Sequence, residues 1–564
     1  MSKKIYLPLL IVLAVIGLSS CSSKLKPLAA NYIKAEPQPL EVVGEKVPVT
    51  INATFPEKWF NKKATLVVTP VLRYEGGEAW GVSYTYQGEK VAGNGQVIPE
   101  KTGANVTLNS SFDYVPAMAK SELYLTFSAK LGDKEVAVPE IKIGDGVLAT
   151  AALVDAGAEI PAIAPDKFQR IIKEAHDANI MFLIQQAELR SSELKKGELA
   201  DWKGIVQNAD QAPNQNVNIE ISAYASPDGG LELNEKLAAQ REKNTNTYLA
   251  KEFKKTAPNV PVSARYTAQD WEGFKELVEK SNITDKNLVL SVLSMYKDPE
   301  EREQQIKNIS SVFSVLADEI LPQLRRSRLT ANVEIVGKSD EEISSLAASN
   351  PKALTVEELL YAATLVKTAD QKDAIYKKVS EIYPKDFRAF NNQGVIAFTN
   401  GQIANAESLF AKAAQLSSSA PEVNCNLGLV ALAKGEKEKA QQYLGKASGV
   451  AELNNALGIL ALKNGNYAQA ASAFANSTGN NAAIAQLLNK DYSKAQSALN
   501  AVTTPNATTA YLKAIVAART NNLSGVVTNL KQAVSLDKTF ATKALNDLEF
   551  AKYITNSDFL NIIK

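Results

Sequence analysis

Histidine and cysteine are nearly absent from this chain: 564 residues contain one histidine, His176, and two cysteines, Cys21 and Cys425. Zinc centres need clusters of both at fixed spacing, and a Ser or Cys nucleophile ordinarily needs a histidine base, so both chemistries are excluded unless His176 serves. His176 lies in FQRIIKEAHDAN, which reads as helical, where a surface or packing role is its ordinary use. No GxSxG, HExxH or P-loop is present, and no cofactor or metal is expected. An excess of either charge is also missing. The 62 basic and 61 acidic side chains cancel, which gives no electrostatic basis for nucleic-acid binding. Charged residues at 22% and hydrophobic residues at 45% are ordinary for folded domains, and the length calls for several of them.

The one continuous apolar run spans Ile5 to Leu18, too short to cross a bilayer comfortably. It follows Lys3 and Lys4 and precedes small residues, the order of an export signal over 1–20. Leu18-Ser19-Ser20-Cys21 resembles the lipobox of bacterial lipoproteins, which implies cleavage before Cys21 and acylation of its thiol. In that family Ser22 implies passage to the outer membrane, and Lys24 and Lys26, where acidic residues would suggest surface export, incline the reading to the periplasmic face. Residues 21–35 then serve as lipid anchor and linker.

From 36 to 150, stretches such as VPVTINA, ATLVVTPVLRY and ELYLTFSAKL alternate apolar and polar residues between Gly-, Asn- and Pro-containing turns. This pattern predicts an antiparallel β-sandwich. Trp80, Tyr84 and Tyr86 stand at even spacing, either as a binding platform or, more ordinarily, as cross-strand packing. Residues 147–165 read as a linker.

The middle region alternates strand and helix patterns. IMFLIQQ predicts a strand, SSELKKGELADWKGIV a helix, VNIEISAYA a strand with Val217, Ile219 and Ile221 on one face, and TANVEIVG another strand. AELRSSELKKGELADW, ISAYASPDGGLELNEKLAAQR and RRSRLTANVEIVG resemble the three blocks of the OmpA-like domain, also found in peptidoglycan-associated lipoprotein. The resemblance implies an α+β domain over 165–340 that grips the diaminopimelate of the cell-wall peptide. By that resemblance Arg241 takes the place of the family's arginine and Asn234 that of its asparagine, while Ser226 stands where the family has aspartate. A serine can accept a hydrogen bond but brings no charge to an ammonium; Asp228 substitutes only if the Pro227 turn directs it to the pocket. Residues 269–328 read as a helical insertion and resemble the extended OmpA-like domains of Bacteroidetes envelope proteins.

The last third repeats itself. Gly394, Gly401, Ala406, Phe410 and Ala413 recur thirty-four residues later as Gly428, Gly435, Ala440, Leu444 and Ala447, and a shortened copy carries Gly458, Gly465, Ala470 and Phe474. These positions resemble the tetratricopeptide repeat, which implies an all-α solenoid over 354–564, with 541–564 as a cap and a surface for a protein partner. Cys425 falls inside a repeat helix, where a buried thiol is the ordinary use.

Two non-catalytic functions follow. One is an outer-membrane lipoprotein scaffold, held by Cys21, that contacts peptidoglycan and recruits protein through its repeats. The other is an assembly factor for a surface or outer-membrane complex that binds no peptidoglycan. Ser226 favours the second, Arg241 with Asn234 the first.

Overall fold

A computed structural model describes Leu25 and residues 27–564, with the backbone alone for 310–312. The expected signal and Cys21 lie outside the described residues. The chain divides into two compact units, one formed by residues up to Pro165 together with Tyr376–Lys564, the other by Asp166–Ile375.

In the first unit the alternation of KVPVTINATF turns Val47, Val49, Ile51, Ala53 and Phe55 inward along the strand Lys46–Phe55. That strand lies between Ile33–Glu36 and Ala104–Asp113 in an antiparallel sheet. Ala64–Tyr74 pairs antiparallel with Ser121–Leu131 in a second sheet, and the two sheets share one core. The second sheet is mixed where wholly antiparallel pairing was expected, because Tyr84–Gly88 and Gln96–Ile98 run parallel. The cause is local: the Gln87 carboxamide donates to Val91 O and Gly93 O and accepts from Gly95 N–H, holding 89–95 as an excursion that returns in the same direction. The three aromatics form no common platform. Tyr86 is buried against Phe55, Tyr84 donates to Asn109 O, and Trp80 is exposed.

The C-terminal part of this unit is a stack of tetratricopeptide-like helical hairpins: Phe387–Thr399 with Ile403–Leu416, Pro421–Ala433 with Lys437–Leu444, Leu453–Lys463 with Tyr467–Ala473, Asn480–Leu488 with Tyr492–Asn500, and Ala507–Arg519 with Leu523–Leu536. The repeated glycine–large pairs meet. A Cβ on Gly394, Gly428 or Gly458 would lie 2.6, 2.5 and 2.3 Å from the side chains of Phe410, Leu444 and Phe474. Each hairpin turns through a left-handed residue, glycine at 401, 435 and 465, then Lys490 and Asn521. Helices Thr539–Asn546 and Ser557–Ile563 close the stack.

The second unit carries a four-stranded sheet in the order Ile171–Met181, Arg326–Val336, Gln215–Tyr224, Val262–Thr267, parallel only between the last two. Helices Gly197–Gln211 and Leu231–Phe253 cover the face that holds Ile180, Ile219, Ile221 and Leu329, with Trp202 and Phe253 between. FQRIIKEAHDAN is a strand, not a helix. Its apolar residues mimic helical spacing, but residue-by-residue pairing from Ile171↔Val336 to Met181↔Arg326 decides the conformation and ends the strand well before the expected Gln186. The insertion is helical from Trp271 to Leu324 and has its own core around Phe274, Val278, Ile306 and Leu316.

Candidate functional site

The expected linker crosses the first helices of the repeats and is held there by their asparagines. Asn392 Oδ1 accepts from Ala164 N–H at 2.9 Å and its Nδ2 donates to Ala164 O at 2.9 Å. Asn426 does the same to Ala162, at 2.7 and 2.8 Å. Asn481 repeats the arrangement on Asp155, at 3.0 and 2.7 Å. Each carboxamide thereby pairs with both main-chain groups of one residue, the geometry by which an extended backbone is read without regard to its side chains. Asn391 adds a bond to Ala162 O at 3.0 Å and accepts from Asn426, which fixes both amides.

The repeat geometry places these residues. Asn392 and Asn426 each stand two positions before the close-approach glycine of their helix, and Asn481 stands two before Ala483, its counterpart. Side chains of the segment sort by size: Ala162 and Ala164 are 1% exposed, whereas Ile160 is 74% exposed. The ends are tied as well. Thr150 donates to Glu549, which Arg519 also binds, and Arg388 donates to Pro165 O at 3.4 Å. The β-region is joined to the repeats independently through Tyr467, whose hydroxyl donates to Val42 O at 2.9 Å, and through Glu45, 3.3 Å from Lys437 and from Lys463. The surface expected to receive a partner thus holds the chain's own residues 155–165.

Glu159 sits in this contact, and among the described residues no cation pairs with it. Its carboxylate accepts from Asn481 Nδ2 at 2.8 Å and Asn455 Nδ2 at 3.1 Å. Burial pushes its pKa up, against the two amides and with help from Asp155. A carboxyl group with a raised folded-state pKa stabilises the fold most below the ordinary glutamate value, and that gain is lost as pH rises through the raised value. Wild-type thermal stability should therefore fall over that window relative to Glu159→Gln. Parallel pH profiles for the two proteins in thermal melts would contradict this.

In the second unit the structure brings Ser226, Asp228 and Asn234 together, and Arg241 makes its hydrogen bonds to main-chain carbonyls. The Arg241 side chain is fully enclosed. Its Nε donates to Gln186 O at 2.9 Å, Nη1 to Tyr224 O at 2.8 Å and Nη2 to Leu183 O at 3.1 Å, with the guanidinium over the Phe182 ring. Desolvation, with Arg325 nearby, lowers its pKa to about 10, still charged at neutral pH. The guanidinium pins three main-chain carbonyls. Asn234 closes the SPDGG turn by donating to Ser226 O at 3.0 Å and Gly229 O at 2.8 Å. Ser226 donates to Asp228 Oδ1 at 2.5 Å, and Arg325 reaches Ser226 Oγ at 3.3 Å and Asp228 Oδ2 at 3.2 Å. Asp228 thus meets Arg325, a partner not evident from the sequence.

Replacing Arg241 by Ala would take a donor from three part-buried carbonyls, of which Leu183 O keeps Gln186 N–H, and would empty the volume of an enclosed side chain, a change that typically costs about 2–5 kcal/mol. Arg241→Ala should lower the unfolding free energy by about 4 kcal/mol in chemical denaturation, and an unchanged midpoint would exclude the pinning role. His176 lies on a strand with Nε2 3.2 Å from Glu174 Oε2, and Cys425 is buried with its thiol pushed up to about 12 by desolvation.

No family model matches the chain, and no curated protein matches it. Among solved structures it is similar to a tetratricopeptide repeat protein from Parabacteroides merdae, 14% identical, over 37% of this chain and 91% of that one, with a TM-score of 0.28. PilF of Pseudomonas aeruginosa is 18% identical over 38% and 98%, also at 0.28. YrrB, described as a TPR protein with an unusual peptide-binding site, is 17% identical over 36% and 98%, at 0.21.

Proposed function

We propose that this protein is a non-catalytic scaffold of the cell envelope, lipid-anchored to the outer membrane through Cys21, that works by binding protein. The observation that carries the protein-binding part is the asparagine series at 392, 426 and 481, which engages extended main chain in the manner of a peptide groove. Its occupation by residues 155–165 makes the β-region, segment and repeats one body, so partners meet that body from outside the groove. The export signal and the Leu18–Cys21 motif support the location. Acylation would make the attachment durable, at about 0.8 kcal/mol for each buried methylene.

A second reading, a tether to peptidoglycan, is favoured by Asp228, which returns a carboxylate to the turn where Ser226 replaces the family's aspartate. Against it stands the engagement of Arg241 by three carbonyls. Two measurements separate the readings. Wild-type protein should stay in the supernatant with purified peptidoglycan, and a photocrosslinker at exposed Ile160 in cells should capture a protein. Wild-type pelleting with peptidoglycan, with Asp228→Asn left in solution, would establish the tether instead. Arg241→Ala is a poor probe, because its effect on folding precedes any effect on binding.

A further inference from the structure

Among the described residues, the strand Ile171–Met181 ends its sheet and has a neighbouring strand on one side only. Two bonds flanking the ladder, Phe182 N–H to Arg325 O and Gly337 N–H to Arg170 O, show that even-numbered residues direct their main chain at Arg326–Val336. The odd-numbered residues 171 to 179 therefore direct theirs away from the sheet, and Ala175 at the middle is exposed. At 181 the edge closes: Glu193 accepts from Met181 N–H at 3.3 Å and Arg190 donates to Met181 O at 3.1 Å. An exposed edge of this length is a template for another strand.

Its sequence says which strand. IIKEAHDAN is complementary to itself when reversed about Ala175: Lys173, which also meets Glu334 at 3.0 Å, then faces Asp177, which also binds Arg328, and the Glu174 carboxylate faces the His176 ring, each pair twice. Reversal about Ala175 also sets odd residues opposite odd, so the outward N–H and C=O groups of both strands meet in register. The other edge of the sheet, Val262–Thr267, has no such symmetry: it carries one charge, Arg265, and no carboxylate to oppose it in a second copy.

We infer that the second unit self-associates through an isologous antiparallel pairing of Ile171–Asn179 with the same strand of a second copy, centred on Ala175. The two four-stranded sheets join into one of eight. The two Lys173–Asp177 pairs directly across the junction select this register, and the two-fold operator closes the assembly at a dimer.

Single cysteines introduced into the full chain carrying Cys21→Ser test the register, because the remaining thiol, Cys425, is buried. Paired Cα atoms in a hydrogen-bonded antiparallel position lie about 5.5 Å apart, within disulfide reach. Ala175→Cys alone should form a covalent dimer under mild oxidation. Ile171→Cys and Asn179→Cys should each remain monomeric alone and crosslink when mixed. Sedimentation of the uncrosslinked protein should show a dimer that Lys173→Asp weakens at least tenfold. A monomer at all concentrations, or Ala175→Cys no more crosslinked than Ile171→Cys alone, would overturn the proposal; so would crosslinking of Ile171→Cys with itself, which requires another register.

Discussion

Replacing Asn392 and Asn426 together with Ala will free residues 160–165 from the repeats and cost about 4 kcal/mol of stability. Each asparagine satisfies one buried N–H and one buried C=O, at Ala164 and Ala162 respectively. Removing Asn392 orphans both main-chain groups of Ala164, and removing Asn426 orphans the Ala162 N–H while Ala162 O keeps only Asn391, at about 1–3 kcal/mol for each orphaned group, partly offset because the asparagine itself no longer has to be desolvated. About 2 kcal/mol for each is the balance. Against a total stability of about 5–15 kcal/mol, the double variant is a severe lesion. Limited proteolysis should cut it beside Ile160 or Ile163 while the wild type resists there. If the segment were an ordinary linker, both proteins would be cut alike and denature at the same midpoint.

Gly458→Val should cost about 3 kcal/mol, and truncating Phe474 should recover part of that loss. Two effects oppose each other at this position. A side chain at a helical glycine improves helix propensity by up to about 1 kcal/mol. The added Cβ, however, would stand 2.3 Å from the Phe474 ring, and overpacking typically costs about 1–3 kcal/mol, more with a β-branched group. Overpacking wins. Because Phe474→Ala removes the ring that clashes, the double variant Gly458→Val/Phe474→Ala should be more stable than the sum of the single changes allows, by about 1 kcal/mol or more. Additive losses in chemical denaturation would mean that the two side chains do not meet.

The repeats were legible because their physics is local: the glycine and the large residue that fills the gap lie sixteen positions apart in each copy, as in Gly394 with Phe410 and Gly428 with Leu444. The asparagines were within reach by the same reasoning, since Asn392 and Asn426 share the thirty-four-residue displacement of those glycines. What could not be read is their ligand. Ala162 and Ala164 belong to the stretch EIPAIAP, more than two hundred positions away, and a backbone recognised through its own amides leaves no pattern in side chains. The misread strand at 171–181 failed for a related reason, as its partner Arg326–Val336 lies beyond a helical insertion. At the expected ligand site the residue types were legible, but their partners were not. Arg241 is spent on carbonyls of 183, 186 and 224, and Asp228 on Arg325, almost a hundred positions on.

Amide hydrogen exchange across residues 150–170 of the wild-type protein is the most direct test of the central claim, that the repeats bind the chain's own segment through its main chain. The N–H groups of Asp155, Ala162 and Ala164 each donate to an asparagine and should be protected to the same extent as the repeat helices that hold them, whereas exchange at the rate of an unstructured peptide would contradict the account.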